Sequence, residues 1–131
     1  MPSLNGLLET ALYVDDLSQS AQFYQALFGF APLVVSDRLI ALAVQDGQVL
    51  LLFKKRASLQ LHPGAHDGDG QLHLAFAIDA SEVESWRTRL REHGVAIEED
   101  RTWERGGQSL YFRDPDGHLI ELGSPGIWAN Y

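Results

Sequence analysis

The sequence has no cysteine, few basic residues and no long apolar run. Each of these features argues against a class of protein. Without cysteine there is no disulfide framework, no thiolate metal site and no cysteine nucleophile. A formal net charge of −8 argues against nucleic acid or an anionic membrane as partner. No apolar run is long enough to span a bilayer, and the segment MPSLNGLLET has neither a basic stretch nor a signal-peptide core. We therefore expect a cytoplasmic protein.

The remaining composition fits a small globular protein whose elements occur twice. The 131 residues are 45% hydrophobic, which is enough for one domain or two very small ones. Residues 6–55 predict a strand, a helix capped by Asp15 or Asp16 and ended at Gly29, and three short strands. Residues 56–70 are polar and rich in glycine and proline, as is typical of a linker.

The same order of elements returns in residues 71–124. Ser81 and Glu84 form a capping box that predicts the start of a second helix, and residues 95–97 suggest a short strand. The stretch SLYFRDPDGHLIEL (109–122) predicts a closing hairpin around an Asp-Pro-Asp-Gly turn. The sequence thus predicts an α+β fold of two βαβββ modules that form a curled mixed sheet. Each module is too thin to make a hydrophobic core alone.

Aligning the two modules places polar residues at equivalent strand positions. LETALYV (8–14) over LHLAFAI (72–78) puts Glu9 opposite His73, and the Asp-Gly turns at 46–47 and 116–117 put Leu51 opposite Glu121. The three polar residues, Glu9, His73 and Glu121, each lie inside an apolar strand. Burying a charge there is costly unless the charge is paired or bound to metal.

Two interpretations of these residues stay open at this point. Glu9, His73 and Glu121 offer one imidazole and two carboxylates, a plausible three-ligand site for a divalent cation. Alternatively, the histidine is a hydrogen-bonded core residue and each glutamate faces water at a sheet edge. We place His118 on the hairpin surface, because it is three residues from Glu121 along the strand and so points the other way.

Three segments resemble the vicinal oxygen chelate superfamily, the group of glyoxalase I, bleomycin-resistance proteins, fosfomycin-resistance thiol transferases and extradiol dioxygenases. They are LETALYVDDLSQSAQFYQALFGF (8–30), QLHLAFAI (71–78) and SLYFRDPDGHLIEL (109–122), and they occur in the family's order. The resemblance implies paired βαβββ modules around a metal, a small-molecule substrate and a homodimer, with modules paired within one chain or across two.

The resemblance also implies a metal site, with two departures from the family pattern. It places ligand positions on Glu9, His73 and Glu121, for one divalent ion that the sequence leaves open among Mn²⁺, Mg²⁺, Ni²⁺, Zn²⁺ and Fe²⁺. The first position is often histidine in the family, so the two-histidine, one-carboxylate set of ring-cleaving dioxygenases is missing. Glyoxalase I adds a fourth, carboxylate ligand at the position of Leu51, and leucine cannot bind metal.

Further residues are candidates for binding the substrate. Strand alternation puts small or aromatic side chains on the same face as Glu9. Two arginines flank a tryptophan before the last hairpin. A Ser-x-Tyr pair in that hairpin resembles substrate-contacting positions of fosfomycin-resistance enzymes. The alternatives are tight packing for the small residues and a solvated loop for the arginines. The candidates are Ala11, Tyr13, Phe53, Arg101, Trp103, Arg105, Ser109 and Tyr111.

Two functions follow from this sequence, and no residue can be assigned as catalytic acid, base or nucleophile. The first is a metal-dependent enzyme of the lyase or thiol-transferase type, in which the ion polarises an oxygen of a small substrate. The second is a metal-free binding protein that sequesters a small molecule, as bleomycin-resistance proteins do.

Overall fold

Two four-stranded mixed sheets, each with one main helix, make up the fold in a computed structural model that describes all residues 1–131. They belong to two units, residues 1–70 and 71–131. The first unit contains β1 (Glu9–Val14), α1 (Leu17–Phe28), β2 (Ala31–Val35), β3 (Leu39–Gln45) and β4 (Gln48–Lys54). The second contains β5 (His73–Ala77), a 3₁₀ turn (Ala80–Glu82), α2 (Val83–Glu92), β6 (Glu99–Thr102), β7 (Gln108–Arg113) and β8 (Leu119–Gly123). None of the helices has both the length and the apolar character needed to cross a bilayer.

The two sheets have the same topology. Their strand orders are β1-β4-β3-β2 and β5-β8-β7-β6, with the first and last strands of each unit paired in parallel. This confirms the predicted α+β class and the repeated βαβββ order. The registers also correspond residue by residue: Glu9–Val49 matches His73–Leu119, and Ala11–Leu51 matches Ala75–Glu121.

Strand alternation separates a buried face from a more exposed face in each unit. Leu12 and Val14 of β1 are buried, whereas Ala11 and Tyr13 between them are only half-buried. The buried apolar residues of the first unit include Leu12, Val14, Tyr24, Leu27, Leu42, Leu50 and Leu52, and those of the second include Val83, Leu90, Leu110, Phe112, Ile120 and Leu122. Burial of these faces is the main stabilising contribution within each unit.

The first helix begins and ends where the sequence predicts. The Asp16 carboxylate accepts a hydrogen bond from the Gln19 amide, which satisfies one of the unpaired donors of the first turn. Gly29 adopts the left-handed conformation with φ of 74° and donates its amide to the Gln25 carbonyl.

The second helix and the strand after it differ from the prediction. A 3₁₀ turn precedes α2, and no side-chain hydrogen bond caps that helix, so the capping box of Ser81 and Glu84 is wrong. The predicted strand at 95–97 is also wrong. The strand forms instead at Glu99–Thr102, where it pairs antiparallel with β7. Every residue of this strand is exposed, so no hydrophobic alternation marks it.

The closing hairpin has the predicted turn, but His118 is not on the surface. One carboxylate oxygen of Asp114 accepts hydrogen bonds from the Asp116 and His118 amides, and Gly117 takes φ of 80°. His118 is fully buried, and its Nδ1 accepts a hydrogen bond of 2.9 Å from the Leu72 amide. The alternation argument is correct that His118 points away from Glu121, but that opposite face is the core.

The segment between the sheets is hydrogen-bonded to the first unit. The Tyr13 hydroxyl lies 2.8 Å from His66 Nδ1, and the Arg38 guanidinium donates to the buried Ser58 hydroxyl at 2.9 Å. Lys55 forms ion pairs with Asp15 and Asp69. Residues 55–69 therefore pack against the sheet that precedes them.

Candidate metal centre

Strand β8 carries the buried acid at the centre of the candidate site. Glu121 is 7% exposed and pairs in register with Ala75 of β5 and Tyr111 of β7. Its neighbours Ile120 and Leu122 face the core, so the carboxylate points to the opposite face of the same sheet. A buried carboxylate requires partners in order to be tolerated there.

The first partner is His73, at the start of β5. Its Nε2 lies 3.4 Å from Glu121 Oε1, and its side chain is half-exposed. Its Nδ1 lies 2.8 Å from the Leu119 carbonyl oxygen. Because a carbonyl can only accept, Nδ1 carries the proton, and in the neutral ring Nε2 presents a lone pair towards Glu121.

A hydrogen-bond chain holds the other carboxylate oxygen. The Ser109 hydroxyl donates to Glu121 Oε2 at 2.5 Å, and Trp103 Nε1 donates to the same hydroxyl at 2.8 Å. Ser109 is fully buried on β7, and Trp103 is half-buried just beyond the end of β6. The carboxylate is thus oriented with Oε1 towards the imidazole.

Tyr111 lies beside this pair on β7. Burial, together with the Glu121 carboxylate, raises the pKa of Tyr111 above its ordinary value of 10.0. Its ring centre lies 6.3 Å from that of His73. The phenol therefore remains protonated at neutral pH and can donate a proton or a hydrogen bond at this face.

The two arginines predicted to flank the site have different environments. The Arg101 guanidinium stacks on the Trp103 ring, with its central carbon 3.8 Å from the ring centre. Arg105 is exposed in the tight turn that joins β6 to β7. The structure thus brings Arg101, Trp103, Ser109, Tyr111, His73 and Glu121 to one sheet, and Arg105 to its rim.

The remaining predicted site residues belong to the first unit. Glu9 is exposed at the start of β1, and the half-buried Ala11 follows two residues later on the same face. Tyr13 stacks on Phe53 with ring centres 5.7 Å apart, and His66 packs edge-on against Phe53 at 4.5 Å. His66 lies in the polar segment 56–70, which the sequence analysis interpreted as a linker because such a segment carries no periodic signal.

The geometry of the His73–Glu121 pair fits a divalent ion. Two atoms that each lie about 2.1 Å from one ion at a tetrahedral angle are about 3.4 Å apart, and this is the separation of Nε2 and Oε1. Both side chains also have hydrogen bonds of the kind that orient metal ligands, from His73 to the Leu119 carbonyl and from Ser109 to Glu121. No group of three histidine, aspartate or glutamate side chains that could hold an ion forms within the chain.

Comparison with known proteins identifies the family. The model of the Glyoxalase/Bleomycin resistance protein/Dioxygenase superfamily matches residues 6–122. The chain therefore belongs to this superfamily, as the resemblance of its strands and closing hairpin implied.

Two of the proteins that it resembles have the names of enzymes. The chain is 32% identical to the metallothiol transferase FosB of Shouchella clausii, over 91% of this chain and 80% of that protein. The crystal structure of a lactoylglutathione lyase from Agrobacterium tumefaciens superposes with a TM-score of 0.91 at 32% identity, over 98% of this chain and 99% of that one.

A third similar structure contains a metal. The fosfomycin resistance protein FosX of Listeria monocytogenes, complexed with Mn(II) and sulfate, superposes with a TM-score of 0.72 at 27% identity. The match covers 95% of this chain and 94% of that protein.

Proposed function

We propose that this protein is a metal-dependent enzyme of the thiol-transferase or lyase type that acts on a small oxygen-bearing substrate. The observation that carries the proposal is the placement of His73 Nε2 and Glu121 Oε1 at 3.4 Å, with both side chains oriented by outer hydrogen bonds. Glu9 is the third ligand in this proposal. Its support is the register, in which Glu9 occupies the position in β1 that His73 occupies in β5.

The donor set limits the ion without selecting one. One imidazole and two carboxylates suit Mn²⁺, Mg²⁺, Ni²⁺, Zn²⁺ or Fe²⁺. Mn²⁺ is the first ion to test, because the FosX relative is complexed with it. When bound, such an ion supplies Lewis-acid polarisation of a substrate oxygen.

The residues around the pair have distinct roles in this proposal. Ser109 donates its hydroxyl proton to Glu121 Oε2, which keeps Oε1 of that carboxylate turned towards His73. Tyr111 is a protonated phenol at neutral pH, with its pKa raised further by burial, and offers a hydrogen bond to a substrate oxygen. Arg101, stacked on Trp103, presents a fixed positive charge that would attract an anionic group of the substrate.

The comparisons support the two reaction types together. FosB is a thiol transferase by name, and the similar Agrobacterium structure is a lactoylglutathione lyase. Leu51 stands in β4 where Glu121 stands in β8, so the first unit lacks the fourth carboxylate that glyoxalase I uses. Both thiol transfer to fosfomycin and formation of lactoylglutathione are to be assayed, and the missing carboxylate counts against the second activity.

The metal proposal is tested by binding before activity. Protein stripped with a chelator should bind about one Mn²⁺ per chain in a calorimetric titration. His73→Ala and Glu9→Gln should each lose this binding. His62→Ala is the control, because His62 is an exposed histidine of the segment between the sheets.

One outcome would overturn the proposal. If the wild type takes up no Mn²⁺, Mg²⁺, Ni²⁺, Zn²⁺ or Fe²⁺, the protein is not a metal enzyme, and the metal-free binding protein becomes the better conclusion. Equal binding by the wild type and His73→Ala would place the ion elsewhere.

A homodimer is also part of the proposal. Strand β2 lies at the edge of its sheet and exposes Leu33, Val34 and Val35 at 58%, 51% and 69%. An apolar edge strand of this kind is a liability in an isolated chain and is normally covered. Sedimentation equilibrium should give twice the 14.6 kDa chain mass, and a monomer at micromolar concentration would contradict this proposal.

A further inference from the structure

The chain of hydrogen bonds from Trp103 to Glu121 can run in only one direction. An indole N–H donates and never accepts, so the Ser109 hydroxyl must accept from Trp103 Nε1. The hydroxyl has a single proton, which it donates to Glu121 Oε2 at 2.5 Å. The carboxylate therefore receives its hydrogen bond from a hydroxyl whose orientation is set by the indole.

The burial of Ser109 and Glu121 makes the hydrogen bond between them important for the position of the carboxylate. Ser109 is fully buried and Glu121 is 7% exposed, so little water is available to replace a lost hydrogen bond. Without Trp103, the hydroxyl oxygen loses the donor that fixes it, and its position then depends on the bond to Glu121 alone.

We propose that Trp103 is a positioning residue that sets the metal affinity of Glu121 through the Ser109 hydroxyl. The inference rests on the proposed metal function. Trp103 is linked to Glu121 through the Ser109 hydroxyl, so we expect its contribution to pass through that hydroxyl. Arg101 supports the indole by stacking on its face at 3.8 Å, which helps to hold the N–H in line with Ser109.

The indole N–H can be removed with little loss of ring packing. Trp103→Phe keeps an aromatic ring for Arg101 but removes the donor, and Mn²⁺ affinity should fall by about 10- to 100-fold. Trp128→Phe is the matched control, because Trp128 is 69% exposed. That variant should bind Mn²⁺ as the wild type does.

A second pair of variants tests the hydroxyl itself. Ser109→Ala should lose Mn²⁺ affinity to a similar extent, whereas Ser109→Thr keeps a hydroxyl and should retain most of it. The visible absorption of Co²⁺-loaded protein gives a signature of ligand geometry that a purely structural role would not change. It should change in Trp103→Phe and Ser109→Ala and remain as in the wild type in Ser109→Thr.

The outcomes separate this inference from the proposed function. If the wild type binds Mn²⁺ and His73→Ala does not, but Trp103→Phe binds as tightly as the wild type, the positioning role is wrong and the metal site stands. If Trp103→Phe does not fold, equal Mn²⁺ affinity of Ser109→Ala and Ser109→Thr overturns the inference instead. If the wild type binds no ion, both fail together.

Discussion

Glu121→Gln is expected to weaken Mn²⁺ binding at least about 100-fold, which is more than the loss of an outer hydrogen bond would cause. The amide has the size of the carboxylate, so the strand and its packing are preserved. It carries no charge and presents only one oxygen, which must serve either Ser109 or the ion. Since Glu121 is the buried member of the pair, its carboxylate is the ligand least exposed to competition from water.

The control for this substitution is the same chemical change at a surface ion pair. Glu98 accepts two hydrogen bonds from the Arg113 guanidinium, which lower the pKa of its carboxyl group. Glu98→Gln removes that pair and should leave Mn²⁺ binding unchanged. Urea unfolding without metal checks that both variants are folded. Wild-type affinity in a folded Glu121→Gln protein would remove Glu121 from the ligand set.

Gly107→Ala is expected to cause the largest loss of stability, about 3 kcal/mol or more. Gly107 is buried where the end of the chain crosses it, and a Cβ there would lie 2.5 Å from the Gly126 carbonyl carbon and 2.6 Å from the Ile127 nitrogen. These are backbone atoms, which cannot rotate away as a side chain does. The Gly107 carbonyl also accepts from the Trp103 amide at 2.7 Å, so displacement would disturb the loop that carries the indole.

The neighbouring glycine provides the comparison. Gly106 has φ of 93° and open space where a Cβ would stand. Gly106→Ala should therefore cost only backbone strain, about 1–2 kcal/mol. Urea unfolding of both variants measures the difference. If Gly107→Ala costs no more than Gly106→Ala, the crossing of the C-terminal segment over Gly107 is not close-packed in solution.

Most of the fold could be predicted because its signals are local or repeated. Asp16 and Gly29 mark the ends of α1 by the chemistry of their own backbone and side chain. The duplicated strands were found by aligning the sequence on itself, and the register of β1 with β4 and of β5 with β8 confirms that alignment. Such features require no knowledge of tertiary packing.

The errors occurred where packing between distant segments decides the structure. Strand β6 has the polar sequence EDRT and forms because β7 offers it an open edge, so its own composition does not reveal it. The stretch at 95–97 is apolar and yet is not a strand. His118 was placed on the surface because only its direction relative to Glu121 could be inferred, not which face is buried.

The sequence predicted only part of the candidate site, because some of its contacts depend on packing between distant segments. The sequence predicted the closing hairpin and named Glu121, Ser109 and Tyr111 as site candidates, and the structure connects Ser109 to Glu121 directly. That Trp103 would donate to Ser109 depends on the path of the loop between β6 and β7, which the sequence does not specify. The ligand role of Glu9 stays a prediction.

The matching registers have a consequence for how this protein could change its chemistry. The last strands of the two units have equivalent positions, which Leu51 occupies in the first unit and Glu121 in the second. The two positions can vary independently, because each lies in a different sheet. An acidic residue in place of Leu51 would put a second carboxylate at the equivalent position of the first sheet. A change at one such position alters the side chains that the scaffold presents without altering its fold, which is a physical route by which a superfamily with one fold can diversify.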